Sequence, residues 1–169
     1  TGAEIGTITE LPDLQEEYID YIVNSTDVDL SGLKVVHDAA NGAAYKVGPE
    51  ILRRLGAELI SIHAQPNGIN INDKCGSTHL ESIKEAVLAH HADLGIANDG
   101  DADRCLVIDE NGEELDGDRI MLICALQMKE EKRLQEDTVV GTVMSNIGFH
   151  KAAKEMGCKT EVTAVGDRY

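Results

Sequence analysis

The sequence has no tryptophan and a single phenylalanine, so its core has to be aliphatic. No apolar run approaches the roughly 18 residues of a membrane-spanning helix. Positive charge is scarce: 15 Lys and Arg stand against 31 Asp and Glu, for a net charge of -16. That balance argues against nucleic acid or an anionic membrane surface as a partner, since both need a basic footprint. It leaves phosphorylated small molecules open, because these need only local positive charge or a metal. The cysteines Cys75, Cys105, Cys124 and Cys158 are far apart and form no CxxC pair. Cys105 and Cys124 fall in apolar periodic runs, so the expectation is buried free thiols in a reducing compartment and a cytoplasmic location. There is no signal-peptide pattern.

What remains is an ordinary globular composition, 42% hydrophobic and 27% charged, in 169 residues. That is one domain, or one plus part of another. The first residue is Thr1 and the last four are Gly166-Asp167-Arg168-Tyr169, directly after a strand-like run. The expectation is a piece of a longer protein.

Residues 1–10 carry no period. Leu14, Tyr18, Tyr21 and Ile22 then fall at helical spacing, with Pro12 and Asp13 at the start. Residues 1–32 are expected to connect to a preceding domain. Leu33-Lys34-Val35-Val36-His37 reads as a strand, 43–55 as a helix ending at Gly56, and Glu58-Leu59-Ile60-Ser61-Ile62 as a second strand. Strand, helix, strand implies a parallel pair with a right-handed crossover. The turn after the first strand does not match GxGxxG, so no dinucleotide site is assigned. A polar loop, 65–78, leads to a helix ending near His91, with Ser77 or Thr78 as its cap and Glu81 at capping-box distance from Thr78. Two apolar runs follow, then an Asn111-Gly112 hairpin turn. Residues 33–113 thus form an α/β domain with a mixed sheet and flanking helices. Residues 114–169 form a second, truncated α/β unit: a helix from about Asp116, a strand over 138–143, a helix capped by Ser145 or Asn146, and a strand over 159–165.

Between the apolar runs lies Asn98-Asp99-Gly100-Asp101-Ala102-Asp103-Arg104. Three carboxylates at i, i+2 and i+4 repel one another, and a hard divalent cation relieves that repulsion. One rival is an EF-hand loop, with Glu110 at its twelfth position. It fails because Arg104 occupies the position that needs glycine, and the flanks are strand-like. The bland alternative is a solvated acidic turn. A divalent site is the favoured reading, its shell completed by water or a phosphoryl oxygen, as in phosphoryl transfer. Arg104 is then either a bidentate phosphate ligand or a structural partner of the aspartates. The six histidines show neither HxxxH nor HExxH, and none is assigned as a ligand. His90 and His91 sit at a helix end, where the dipole favours them.

Asp99-Gly100-Asp101-Ala102-Asp103-Arg104 resembles the DGDxDR magnesium loop of the α-D-phosphohexomutases. Further segments are similar to its glucosamine branch: 72–79 (NDKCGSTH), 107–112 (VIDENG), 116–121 (DGDRIM) and 142–146 (TVMSN). The resemblance implies a four-domain enzyme that interconverts glucosamine 6-phosphate and glucosamine 1-phosphate through a phosphoserine and a bisphosphate intermediate. It implies Mg²⁺ held by Asp99, Asp101 and Asp103, with Arg104 near the phosphoserine, and a role in amino-sugar nucleotide and peptidoglycan precursor synthesis. The chain has no TASHNP-like serine segment, no GExSGH-like sugar loop and no RxSGTEP-like phosphate loop. It should therefore be inactive alone and bind Mg²⁺ weakly. Asn98 stands where the family often has Phe and Ala102 where it often has Gly. Two alternatives stay open: a phosphomannomutase or phosphoglucomutase of the same superfamily, and a non-catalytic Ca²⁺/Mg²⁺-binding module. Gly166-Asp167-Arg168-Tyr169 resembles a loop near the active site. Sheet edges of a cut third domain leave a homodimer open.

Overall fold

The structure is a computed structural model that describes residues 5–11 and 14–166. The chain divides after Glu113 into two compact units. The first carries α1 (Leu14–Asn24), β1 (Lys34–Asp38), α2 (Ala44–Arg54), β2 (Glu58–Ile62), a 3-10 turn, α3 (Glu81–His90), β3 (Leu94–Asn98) and β4 (Cys105–Asp109). The division falls in the hairpin whose return strand is β5 (Glu114–Leu115). The sheet order is β2-β1-β3-β4-β5. β1 pairs in parallel with β2 and β3, while β3 and β4 are antiparallel, so the sheet is mixed as expected.

The aliphatic sequence packs as its composition demands. Val36, Ile83, Val87, Ala92, Ala97 and Ile108 form one buried cluster between α3 and one face of the sheet. Each large aliphatic side chain removed from water there stabilises the fold by roughly 1.5–3 kcal/mol. On the opposite face His37 is buried against α2. A Cβ on Gly48 would lie 2.6 Å from its ring, so only glycine lets the helix come this close.

The segment expected as a connector contains a helix that packs in the first unit. Its buried residue is Ile19, whereas Leu14, Tyr18 and Tyr21 are exposed. Of the apolar series only Ile22 is half-buried, one turn from Ile19. The helix is docked by charge as well: Arg54 of α2 donates to Glu16 at 2.6 Å and Asp20 at 2.7 Å, and is held within α2 by Glu50 at 2.8 Å. Pro12 and Asp13, expected at its start, lie outside the described residues.

Two other expectations are corrected. The cap of α3 is Leu80, with no side-chain hydrogen bond. Thr78 instead sits in the preceding 3-10 turn and donates to the Cys75 carbonyl. All four cysteines are free, but Cys105 and Cys124 are exposed, while Cys75 and Cys158 are buried. Cys124 belongs to a helix whose buried residue is its neighbour Ala125, and Cys105 opens its strand at the exposed end.

The second unit contains α4 (Gly117–Glu130), a short 3-10 turn, β6 (Thr138–Thr142), α5 (Ile147–Glu155) and β7 (Lys159–Thr163). β6 and β7 pair in parallel. Phe149, the lone phenylalanine, is almost fully buried with Ala125, Val139, Ala153 and Cys158. Asp116 and Asn146 cap the two helices, accepting from the backbone N–H groups of Arg119 and Phe149. Asp167, Arg168 and Tyr169, part of the C-terminal motif, lie outside the described residues.

Candidate functional site

Strand order alone singles out one edge of the first unit. The connection leaving β1 runs to β2, and the one leaving β3 runs the other way, to β4. Their C-terminal ends form a topological switch point, where open α/β sheets bind ligands. β1 ends at Asp38 and β3 at Asn98, so the acidic loop springs from that point.

Three loops interlock there. Ala43 donates its backbone N–H to the Gly100 carbonyl at 2.8 Å, and Asn72 donates to the Ala40 carbonyl at 2.9 Å. A Cβ on Gly42 would collide with the Gly100 backbone, which is why small residues follow β1. The two ends of the acidic loop are tied together by one side chain. Asn98 Nδ2 donates to the Arg104 carbonyl at 2.9 Å, while its Oδ1 accepts from His37 Nε2 at 3.0 Å. His37 Nδ1 is buried and has no hydrogen-bond partner among the described residues. Burial depresses the His37 pKa, so the ring is held neutral.

The structure brings all three predicted aspartates together. Carboxylate oxygens of Asp99, Asp101 and Asp103 lie within 4.8 Å of one another. Asp99 is buried and fixes the loop, accepting from the Arg104 backbone N–H at 3.1 Å; Asp101 and Asp103 are exposed. Asp101, and then Asp99, push the Asp103 carboxyl above its ordinary range, with Arg104 opposing. That residual repulsion is what an added cation would remove. The set fits a hard cation: only oxygen donors, clustered, with two of them open to solvent. Arg104 Nε lies 3.5 Å from Asp99 and 3.9 Å from Asp103, and the side chain is otherwise largely exposed. Ala102, between two of the aspartates, takes a left-handed φ of 63°.

One grouping escaped the sequence reading. Asp38 is fully buried at the end of β1. Its Oδ1 accepts from the Ala40 N–H at 2.9 Å, and its Oδ2 accepts from the Gly76 N–H at 3.0 Å and from His63 Nδ1 at 2.9 Å. Cys75 is buried beside them. The signal was present in the parallel register, since Asp38 pairs with Ile62 and His63 comes next.

The first unit is thus an α/β domain that presents an oxygen-donor loop at its switch point. Comparison with known proteins gives it a family. The alpha/beta/alpha domain II of phosphoglucomutase/phosphomannomutase matches residues 16–112, and domain III of the same family matches 116–169. The chain belongs to the phosphoglucomutase/phosphomannomutase family. It is 54% identical to the phosphoglucosamine mutase of Symbiobacterium thermophilum over 169 residues, all of this chain and 38% of that protein. It is also 54% identical to that of Mycobacterium ulcerans, over 99% of this chain and 38% of the relative. The chain therefore spans little more than a third of these relatives. Among solved structures, a phosphoglucomutase/phosphomannomutase family protein from Burkholderia thailandensis aligns with a TM-score of 0.75 at 25% identity, over 98% of this chain and 37% of that one. An N-acetylglucosamine-phosphate mutase aligns with a TM-score of 0.62 at 18% identity, over 90% and 32%, which shows the shared fold.

Proposed function

We propose that this chain is the metal-loop segment of a phosphoglucosamine mutase, an isomerase that interconverts glucosamine 6-phosphate and glucosamine 1-phosphate through an enzyme phosphoserine and a bisphosphate intermediate. The observation that carries this reading is the 54% identity to such mutases across the whole chain. The geometry supports it: the three aspartates cluster at the switch point of a family domain.

Asp99, Asp101 and Asp103 would hold Mg²⁺. When bound, the ion supplies charge neutralisation to a transferring phosphoryl group. The residues of this chain prepare that place. Asp99 sets the loop by accepting from the Arg104 backbone. Asn98 clamps the loop ends, and His37 orients Asn98. Arg104, within 4 Å of Asp99 and Asp103, would swing from them to a phosphate oxygen. The serine, the sugar-reading loop and the phosphate loop would come from other parts of the enzyme. The enzyme would be cytoplasmic, carry a phosphoserine and serve amino-sugar and cell-wall precursor synthesis.

The test is a mutase assay on the full-length protein with glucosamine, mannose and glucose phosphates in parallel. The expected result is the highest kcat/KM with glucosamine 6-phosphate. Higher kcat/KM with mannose or glucose phosphate would overturn the assignment.

A further inference from the structure

The Asp38 grouping lies outside the acidic loop and differs from it in chemistry. It offers one carboxylate oxygen, one imidazole nitrogen and one sulfur, all within 4.8 Å of one another. Mg²⁺ prefers oxygen, but zinc-class divalent cations accept all three donor types. The geometry points to a second cation site, with Asp38, His63 and Cys75 as three ligands for a zinc-class divalent ion.

The surroundings suit that use. Asp38 and Cys75 are fully buried, and Asp38 is pre-oriented by two backbone N–H groups. Asn41 Nδ2 lies 3.9 Å from Cys75 Sγ, where it can donate to a thiolate. His63 is partly exposed and, with Asn41 and Asn70, lines a cavity of about 620 Å³. Of the three ligands His63 alone lines that cavity, so an ion and a water completing a three-ligand zinc site would reach the group on the His63 side. Ligands around zinc stand roughly 3–4 Å apart given bonds of about 2.0–2.3 Å. His63 already lies 2.9 Å from Asp38, so the sulfur is the donor that has to close in.

The proton balance is simple. The Cys75 thiol loses its proton to solvent as the S–metal bond forms. The neutral His63 ring binds through one nitrogen and keeps its single proton on the other. One proton is released per ion bound, and no redox partner is needed. The site does not depend on the sugar-phosphate reading of the acidic loop.

The test is a Co²⁺ titration of the full-length protein, followed by near-ultraviolet absorption and by proton release. The expected result is a thiolate-to-cobalt charge-transfer band saturating at one equivalent, displaced by Zn²⁺. Cys75→Ser should remove the band, whereas Cys105→Ser should keep it. His63→Ala should weaken binding at least about tenfold. No sulfur band in the native protein, or a band unchanged in both Cys75→Ser and His63→Ala, would overturn the proposal. Co²⁺ absorption lacking a sulfur band and abolished by Asp101→Asn would place the ion on the acidic loop instead, and would overturn it as well.

Discussion

The carboxylates of Asp38 and of the acidic loop sit at the ends of neighbouring parallel strands, yet they are held in opposite ways. Asp38 is buried, and both its oxygens accept hydrogen bonds from the protein. Asp101 and Asp103 are exposed and crowd each other. A satisfied buried carboxylate contributes to stability, because removing it strands its donors. An exposed, mutually repelling set contributes little to stability and, on the proposed function, would be held open for a cation. The difference teaches that the same residue type, on adjacent strands, is anchored by protein hydrogen bonds in one place and left exposed and mutually repelling in the other.

Substitutions that exchange these roles test the contrast. The largest effect is expected from Asp101→Asn in the full-length protein: mutase activity falls about 100-fold or more, as for loss of a metal ligand. Its urea midpoint should stay within error of the native one, because repulsion is relieved and no buried bond is lost. Asp38→Ala should do the reverse on stability, costing about 3 kcal/mol in urea unfolding, since the Ala40 and Gly76 N–H groups and the His63 ring lose their acceptor. Equal stability losses for the two variants would break the comparison.

A smaller effect comes from His37. Its folded pKa is depressed below the ordinary 6.5, so the unfolded chain binds the proton first as pH falls. Its contribution is present above about pH 6.5 and is lost as pH drops toward the folded value. The native urea midpoint minus that of His37→Gln should therefore shrink on acidification below that point, while the Gln amide keeps a donor for Asn98. A difference that does not change with pH would show that His37 titrates alike in both states. The smallest effect is expected at Ala102, whose φ of 63° is left-handed. Ala102→Gly should relieve that strain and raise stability by about 0.5 kcal/mol, the unfolded-state entropy of glycine offsetting the rest.

Much of the architecture was legible because it follows from local pattern. The parallel pair, the hairpin at Asn111-Gly112 and the Asp116 and Asn146 starts of the last helices all appear where turn and capping residues placed them. The aspartate cluster was legible for the same reason, being contiguous in sequence. What local pattern could not supply was tertiary context. Ile19, not the evenly spaced Leu14 and Tyr18, is the buried face of the first helix, because Arg54 and α2 choose which side docks. The burial of Cys75 and exposure of Cys105 depend on loop packing rather than on the apolar runs. The union of Asp38, His63 and Cys75 spans 38 positions of sequence and depends on strand register, which spacing alone does not reveal.

The central claim is that Asp99, Asp101 and Asp103 form the working cation site of a glucosamine phosphate mutase. The most direct measurement is to strip divalent ions from the full-length protein and follow mutase turnover while Mg²⁺ is titrated back. The account predicts background activity without the ion, a saturable return as it is added, and an Asp101→Asn curve displaced at least about tenfold to higher Mg²⁺. Full turnover in the stripped protein, or superimposable curves for the native and Asp101→Asn proteins, would contradict it.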